Sequence, residues 1–238
     1  MVRGKKLAGG LIAALSLATT AGGAGAEPAS QSLIVVELFT SQGCSSCPPA
    51  NANLAAIAER PDVLALSFGV TYWDYIGWKD TFAKPEFTSR QYAYEQKLHR
   101  ATAYTPQMVV NGAMDLIGNS AEELDRFIGA ARETAATTPP SIGFNDGKVT
   151  IGAGSAPEDG ADVLLVRYDP NIVQVPVARG ENTGRTLPHK NVVHELTRLG
   201  SWSGEAVSFA LPPAAGDLKT AILVQSAYSG PILAAAKD

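Results

Sequence analysis

The sequence predicts an α/β domain followed by a smaller antiparallel β-rich, sandwich-like domain. Three observations carry this reading. Leu33 to Phe39 is a near-continuous apolar, β-branched run of the kind found in a strand buried on both faces. An alanine-rich helical segment follows it and leads into a second apolar run, Val63 to Val70, which implies a parallel pair joined by a right-handed crossover. Beyond Thr137-Thr138-Pro139-Pro140 the texture changes to short strand-like runs broken by Gly, Pro, Asp and Asn, with little helical periodicity.

The elements follow in order. Arg3, Lys5 and Lys6 precede an apolar stretch, Leu11 to Leu17, and then small residues ending in Ala24-Gly25-Ala26. This pattern predicts a signal peptide over residues 1–26, cleaved after Ala26, and a periplasmic or secreted location. The competing reading is an uncleaved anchor, but the run is short against the ~20 apolar residues a bilayer requires. No later segment is long and apolar enough to span, so no stable membrane insertion is expected after cleavage. Removing the three basic residues takes the formal charge from −4 to −7. A mildly acidic, mixed surface argues against nucleic acid or anionic lipid as the partner.

Pro48 and Pro49 fit the first turn of a helix running to about Arg60. The segment 71–101 reads as an insertion, first aromatic around Trp73, Tyr75 and Trp78, then helical from Pro85 to about Arg100. Asn111-Gly112 between Met108–Val110 and Met114–Ile117 is a hairpin signal. Ser120 with Glu123 forms a capping box for a helix whose apolar face is Leu124, Phe127, Ile128 and Ala131. The predicted domains are therefore 27–138 and 139–238. In the second, a hairpin around Asn145–Lys148 precedes strands at 162–168, 173–178, 191–197, 205–211 and 219–227.

The chemistry is expected at Cys44-Ser45-Ser46-Cys47, between the first strand and its helix. This spacing brings both sulfurs to one side. Cys44 at the helix start would feel unpaired N–H groups and the positive end of the dipole, which favour a thiolate. Cys44 is then the attacking thiol and a shielded Cys47 the resolving one. A purely structural disulfide is the alternative, though so small a ring gains least from loop closure. A metal site is the other, but two cysteines and three histidines in the whole chain are poor material for one. His189 and His194, five apart in a predicted strand, should face opposite ways. No cofactor is implied.

Thr105-Pro106 lies directly before a strand, where proline is tolerated at the first position or an edge. Glu37 is a carboxylate in an otherwise apolar strand, costly to bury without a role. The order strand, CxxC, helix, strand, insertion, Thr-Pro, hairpin, helix resembles the thioredoxin fold. That resemblance implies a cis-proline at Pro106 beside the cysteine pair and substrate contact near Thr105. It also implies a proton-relay role for Glu37, whose alternative is a salt bridge at the sheet edge. The run Val35 to Pro49, Tyr72-Trp73-Asp74, Gly77-Trp78-Lys79-Asp80, Thr105-Pro106-Gln107, Arg179-Gly180-Glu181-Asn182, His189 and Asn191-Val192-Val193 together resemble a secreted bacterial family of unknown function with a thioredoxin-like domain. That family often carries His and Asp where this chain has Gly69 and Thr71.

Two further groups are candidates. Trp73 and Trp78 either form a docking surface or pack against the inserted helix. Arg179, Glu181, Asn182, Arg185, His189 and Asn191 line either a ligand site or the contact with the first domain. The expected function is an exported thiol–disulfide oxidoreductase. Its partners are an exported protein or a small thiol or disulfide, with a reducing or oxidising protein to restore it. The alternatives are a copper- or zinc-binding chaperone and a binding or structural protein without redox turnover.

Overall fold

The structure is a computed structural model that describes residues 1, 2, 4, 32–135 and 138–238. The expected signal segment lies almost wholly outside the described residues, as does Thr137 of the expected linker. Strand β1 (Ile34–Thr40), helix α1 (Pro48–Ile57) and strand β2 (Val63–Gly69) follow in the predicted order. The two strands pair in parallel from Ile34 opposite Val63 to Thr40 opposite Gly69, and every residue of both is buried. A single 3₁₀ turn (Asp74–Ile76) and helix α2 (Pro85–Lys97) make up the insertion.

Strands β3 (Gln107–Val110) and β4 (Met114–Leu116) form the hairpin that Asn111-Gly112 signals, with φ +48° and +66° at the two turn residues. Asn111 does more than turn the chain. Its side-chain oxygen accepts from the Val35 N–H at 2.8 Å, and its own N–H donates to the Val35 carbonyl at 2.8 Å. Helix α3 (Ala121–Thr134) starts where the capping signal placed it, with Ser120 Oγ accepting from the Glu123 N–H at 3.2 Å.

The second half contributes β5 (Ile142–Asn145), β6 (Lys148–Ile151), β7 (Ala161–Pro176), β8 (Thr186–Trp202), β9 (Val207–Ala210), β10 (Lys219–Ser226) and β11 (Ile232–Lys237). Four of these extend the first sheet, giving one eight-stranded mixed sheet of order β11-β10-β7-β8-β2-β1-β3-β4. Strands β5, β6 and β9 form a separate three-stranded antiparallel sheet. The protein is thus mixed α/β, and the large sheet runs through both halves. The join is β8 on the free edge of β2, at Ser67 opposite Val192 and by the Asn191 amide donating to the Ala65 carbonyl at 2.7 Å.

Alternation along the strands sorts the apolar residues into three cores. Ile34, Val36, Leu38, Val63 and Ala65 pack under α1 and α3. Val163, Leu165, Ile222 and Val224 face the small sheet, with Trp202 among them. Val35, Phe39, Leu64, Leu66 and Phe68 join Leu164, Val166, Ala221 and Leu223 around Phe87 and Tyr94 of α2. Among the described residues, no helix is long and apolar enough to cross a membrane.

The predicted strands at 162–168 and 173–178 are one continuous β7, irregular at 169–172. Asp169-Pro170-Asn171 reads as a break but is absorbed as a bulge, with Asp169 Oδ1 accepting from the Asn171 N–H at 2.9 Å. The sequence reading finds no strand at β11, because Ile-Leu-Ala-Ala-Ala-Lys has low intrinsic strand preference; its pairing with β10 comes from tertiary context.

Glu37 is a charge within the central core and is 0% exposed. Arg90 binds it through both oxygens, at 2.7 and 2.9 Å, and the Tyr94 hydroxyl donates to it as well. The salt-bridge alternative therefore holds, but inside the sheet and not at its edge. Burial opposes the Arg90 charge; the adjacent carboxylate outweighs it and holds the guanidinium above its usual range. Glu37→Gln leaves Arg90 buried without a counter-charge and should cost about 3–5 kcal/mol in urea denaturation. Glu37→Leu with Arg90→Met should recover most of that loss. A single-variant cost below about 1 kcal/mol refutes the assignment.

Candidate functional site

The loop leaving β1 is built around buried polar groups. Gln42 is completely enclosed. Its N–H donates to Asp80 Oδ2 at 2.7 Å, and its Oε1 accepts from the Trp78 indole at 2.9 Å and the Thr81 N–H at 3.2 Å. Its Nε2 donates to Thr81 Oγ1 at 2.9 Å. Asp80 Oδ1 in turn accepts from the N–H groups of Phe82 and Ala83 at 2.8 and 3.2 Å. Burial pushes the Asp80 carboxyl above its usual range, against those N–H donors. The insertion thus grips the segment that delivers Cys44.

The chain then makes two tight turns into α1. The Cys44 N–H donates to the Ser41 carbonyl at 3.1 Å, and the Cys47 N–H to the Cys44 carbonyl at 3.3 Å. Cys44 and Cys47 form a disulfide with their Cα atoms 5.5 Å apart. Cys47 is the N-cap of α1, and Cys44 lies three residues before that cap. Both cysteines are 0% exposed, while Ser45 and Ser46 between them are exposed. The expected contrast between an exposed Cys44 at a helix start and a shielded Cys47 is not observed. The helix begins later, at the two prolines, and neighbouring segments cover both sulfurs. Ser46 Oγ is 3.3 Å from Cys44 Sγ.

The Thr105–Pro106 peptide bond is cis. Gln107, the next residue, pairs with Phe39 near the end of β1, so Pro106 stands at the sheet end from which the cysteine loop departs. The Trp73 indole donates to Thr105 Oγ1 at 2.8 Å. Trp73 and Trp78 therefore bind the two motifs on either side, one each, while Tyr75 between them is 83% exposed. Gly69 shows why no side chain stands there: a Cβ would meet the Ala83 nitrogen at 2.8 Å, where the insertion crosses β2.

The polar segment of the second half divides. Glu181 Oε2 accepts from the Ser45 N–H at 3.0 Å and from Ser45 Oγ at 2.7 Å. The Asn182 amide donates to the carbonyls of Gln42 and Cys44 at 3.0 and 2.9 Å. Arg185 donates to Asn182 Oδ1 at 2.7 Å. These residues make the contact with the first half. Arg179 is exposed and stands apart from them. Glu37, held by Arg90 and Tyr94, has no hydrogen bond to either cysteine among the described residues. Sequence reasoning missed Gln42 and Asp80 as supports of the site; their signal is polarity in a stretch otherwise built to be buried. Among the described residues, no group of three or more His, Cys, Asp or Glu is placed to hold a metal ion.

Comparison with known proteins now adds a family. The model of the family described as protein of unknown function (DUF1223) matches residues 35–225. The chain belongs to the DUF1223 family. A crystal structure of the protein AGR_C_4864 from Agrobacterium tumefaciens is similar, at 33% identity and a TM-score of 0.72, over 88% of this chain and 95% of that one. HBP35 of Porphyromonas gingivalis shares the fold at 15% identity and a TM-score of 0.55, over 87% of this chain and 74% of that one. No curated protein matches the chain.

The histidines of this DUF1223 protein do not face opposite ways. Asn191 takes φ +51° where the β7–β8 pairing is irregular, and both His189 and His194 approach Phe82, with ring centroids at 5.5 and 6.3 Å. The pairing steps from Val193 opposite Tyr168 to Glu195 opposite Arg167, so His194 is the added residue of a bulge and strict alternation does not separate the two rings. His189 is buried with Nε2 unpartnered, and burial pushes its pKa down to about 4. An unfolded chain takes up this proton near pH 6.5, whereas the folded one refuses it until about 4. Stability present above pH 6.5 is therefore lost as pH falls toward 4, by about 3 kcal/mol at most. Urea denaturation at pH 7.5 and 4.5 should show a smaller acid loss in His189→Phe than in the parent. Equal losses in both proteins exclude His189 as the source.

Proposed function

We propose that this protein is an exported thiol–disulfide oxidoreductase on a thioredoxin-like frame, with Cys44 and Cys47 as its redox pair. The observation that carries the reading is the Cys44–Cys47 disulfide between β1 and α1, at the sheet end that also holds the cis Thr105–Pro106 bond. A bridge of sequence separation 3 is a poor staple, because loop-closure gain falls with loop length. It is a good redox couple, because closing and opening it moves little backbone. Cys47, the N-cap residue, sits at the positive end of the α1 dipole, which favours thiolate character in the reduced pair.

In the reducing direction, the Cys44 thiolate attacks one sulfur of a substrate disulfide and releases the other as a thiolate. Cys47, once deprotonated, then attacks Cys44 Sγ, displaces the second substrate thiolate and closes the protein disulfide. Two electrons pass to the substrate, and the released thiolates take up protons. The oxidising direction is the reverse, with the substrate dithiol as electron donor. Ser45 and Ser46, the exposed residues of the turn, lie nearest an incoming substrate on the Cys44 side. Export rests on the residues 1–26 signal pattern, and an exported chain meets conditions in which the pair oxidises readily. A reducing or oxidising partner protein would restore the working state.

The reduced protein should catalyse reduction of a model protein disulfide such as insulin by dithiothreitol. Cys44→Ser should lose this activity. Cys47→Ser should accumulate a mixed disulfide through Cys44. Catalysis unchanged in Cys44→Ser, or no mixed disulfide formed by Cys47→Ser, refutes the reading.

A further inference from the structure

Both sulfurs are buried although the two residues between them are exposed, so something other than the turn itself covers them. Part of the cover comes from far along the chain. The loop between β7 and β8, residues 177–185, is held together by its own hydrogen bonds. The Gly184 N–H donates to the Val177 carbonyl at 2.8 Å, the Thr183 N–H to the Gly180 carbonyl at 3.2 Å, and the Arg185 N–H to the Asn182 carbonyl at 3.0 Å. Gly180 has φ +81°, and a Cβ there would meet Ile76 Cδ1 at 2.9 Å; a Cβ on Gly43 would meet the same atom at 2.9 Å. The loop, the insertion and the cysteine turn therefore close on one isoleucine.

Two side chains of the loop bind the turn. Arg185 holds Asn182 Oδ1, which fixes the amide orientation and directs Nδ2 to the carbonyls of Gln42 and Cys44. The Glu181 carboxylate takes both donors of Ser45. Those donors hold the Glu181 carboxyl below its usual range, so it stays charged beside the cysteine turn.

We infer that Glu181 and Asn182 are positioning residues for Cys44, forming a strap that shields the disulfide and disfavours the Cys44 thiolate. The inference rests on the proposed redox role. Asn182 supplies the cover, because its two hydrogen bonds fasten the loop over residues 42–44. Glu181 supplies the electrostatic part: its negative charge, on the residue next to Cys44, opposes a second negative charge on the sulfur. A neutral disulfide meets no such repulsion. The strap therefore favours the oxidised form over the dithiol, and a substrate or partner that lifts it makes the pair both reachable and more acidic.

The test uses the full chain and its own disulfide, so no substrate is needed. The parent, Glu181→Gln and Asn182→Ala are compared by reduction rate in dithiothreitol, by equilibrium with glutathione buffers, and by the pKa of Cys44 after reduction. Glu181→Gln keeps an acceptor for Ser45 and removes the charge. It should lower the Cys44 pKa and shift the glutathione equilibrium about threefold toward the dithiol, the scale of a single exposed charge. Asn182→Ala should speed reduction about tenfold. Because Asn182 is buried, its folding is checked by urea denaturation, and the exposed Glu181→Gln carries the test if that variant does not fold. Parent-like values in Glu181→Gln for the equilibrium and the pKa overturn the inference. That outcome leaves the redox reading standing wherever insulin reduction still depends on Cys44. Loss of insulin reduction with the strap effects intact overturns the function and keeps the cover.

Discussion

The buried pair of Glu37 and Arg90 is the constraint on which the rest of the structure depends. It joins the central strand β1 to α2, and Tyr94 extends it. Gln225 of β10 then donates both to the Tyr94 hydroxyl at 3.0 Å and to the Gly230 carbonyl at 2.8 Å. One connected polar group thus links β1, the inserted helix and β10, at the other end of the same sheet. A buried ion without its partner is expensive, so these three elements hold their positions together or not at all. The position of α2 fixes the end of the insertion, whose other contacts include Trp73 on Thr105 and Trp78 on Gln42. The site is therefore referenced, through α2, to the centre of the core.

This dependence explains what was legible in the sequence and what was not. Local signals carried through: the apolar run of β1, the prolines opening α1, Asn111-Gly112 and Ser120 with Glu123 all stand where their residue types require. The cysteine pair was readable as a short motif with a local mechanism, and the cis Thr-Pro bond only through the resemblance that the order of elements carries. Signals needing a partner distant in sequence were ambiguous. Glu37 showed that a buried carboxylate needs a reason, but Arg90 lies 53 residues away and nothing local names it. The same limit applies to β11, whose alanines become a strand only against β10. His189 and His194 were misread because strict alternation holds only in a strand without a bulge.

The second half is best understood as completing the first. Its long β7–β8 hairpin is anchored near Trp202 in the core under the small sheet. Midway it meets β2, where Asn191 binds the Ala65 carbonyl and Lys190 pairs with Glu59 at 2.8 Å. Its loop reaches Ser45 and Cys44. One element thus runs from the core under the small sheet, across the junction with β2, to the disulfide. The polar cluster that sequence left undivided separates along it: Asn191 holds the sheet, Asn182 and Glu181 hold the turn, and Arg179 faces water.

A disulfide enclosed on all sides exchanges only if one cover yields, and the covers are not equal. On the insertion side, Gln42 and Asp80 are buried and every polar atom described above for them is paired within the fold. Opening that side breaks several enclosed hydrogen bonds at once and exposes groups that water reaches poorly in part-open states. On the strap side, Glu181 is exposed and binds an exposed serine, so water replaces those two bonds at little cost. Only the Asn182 amide is buried there. The loop also keeps its internal hydrogen bonds whether it is docked or lifted, so it moves as a unit and loses little order. The easier path to the sulfurs therefore runs under residues 180–182.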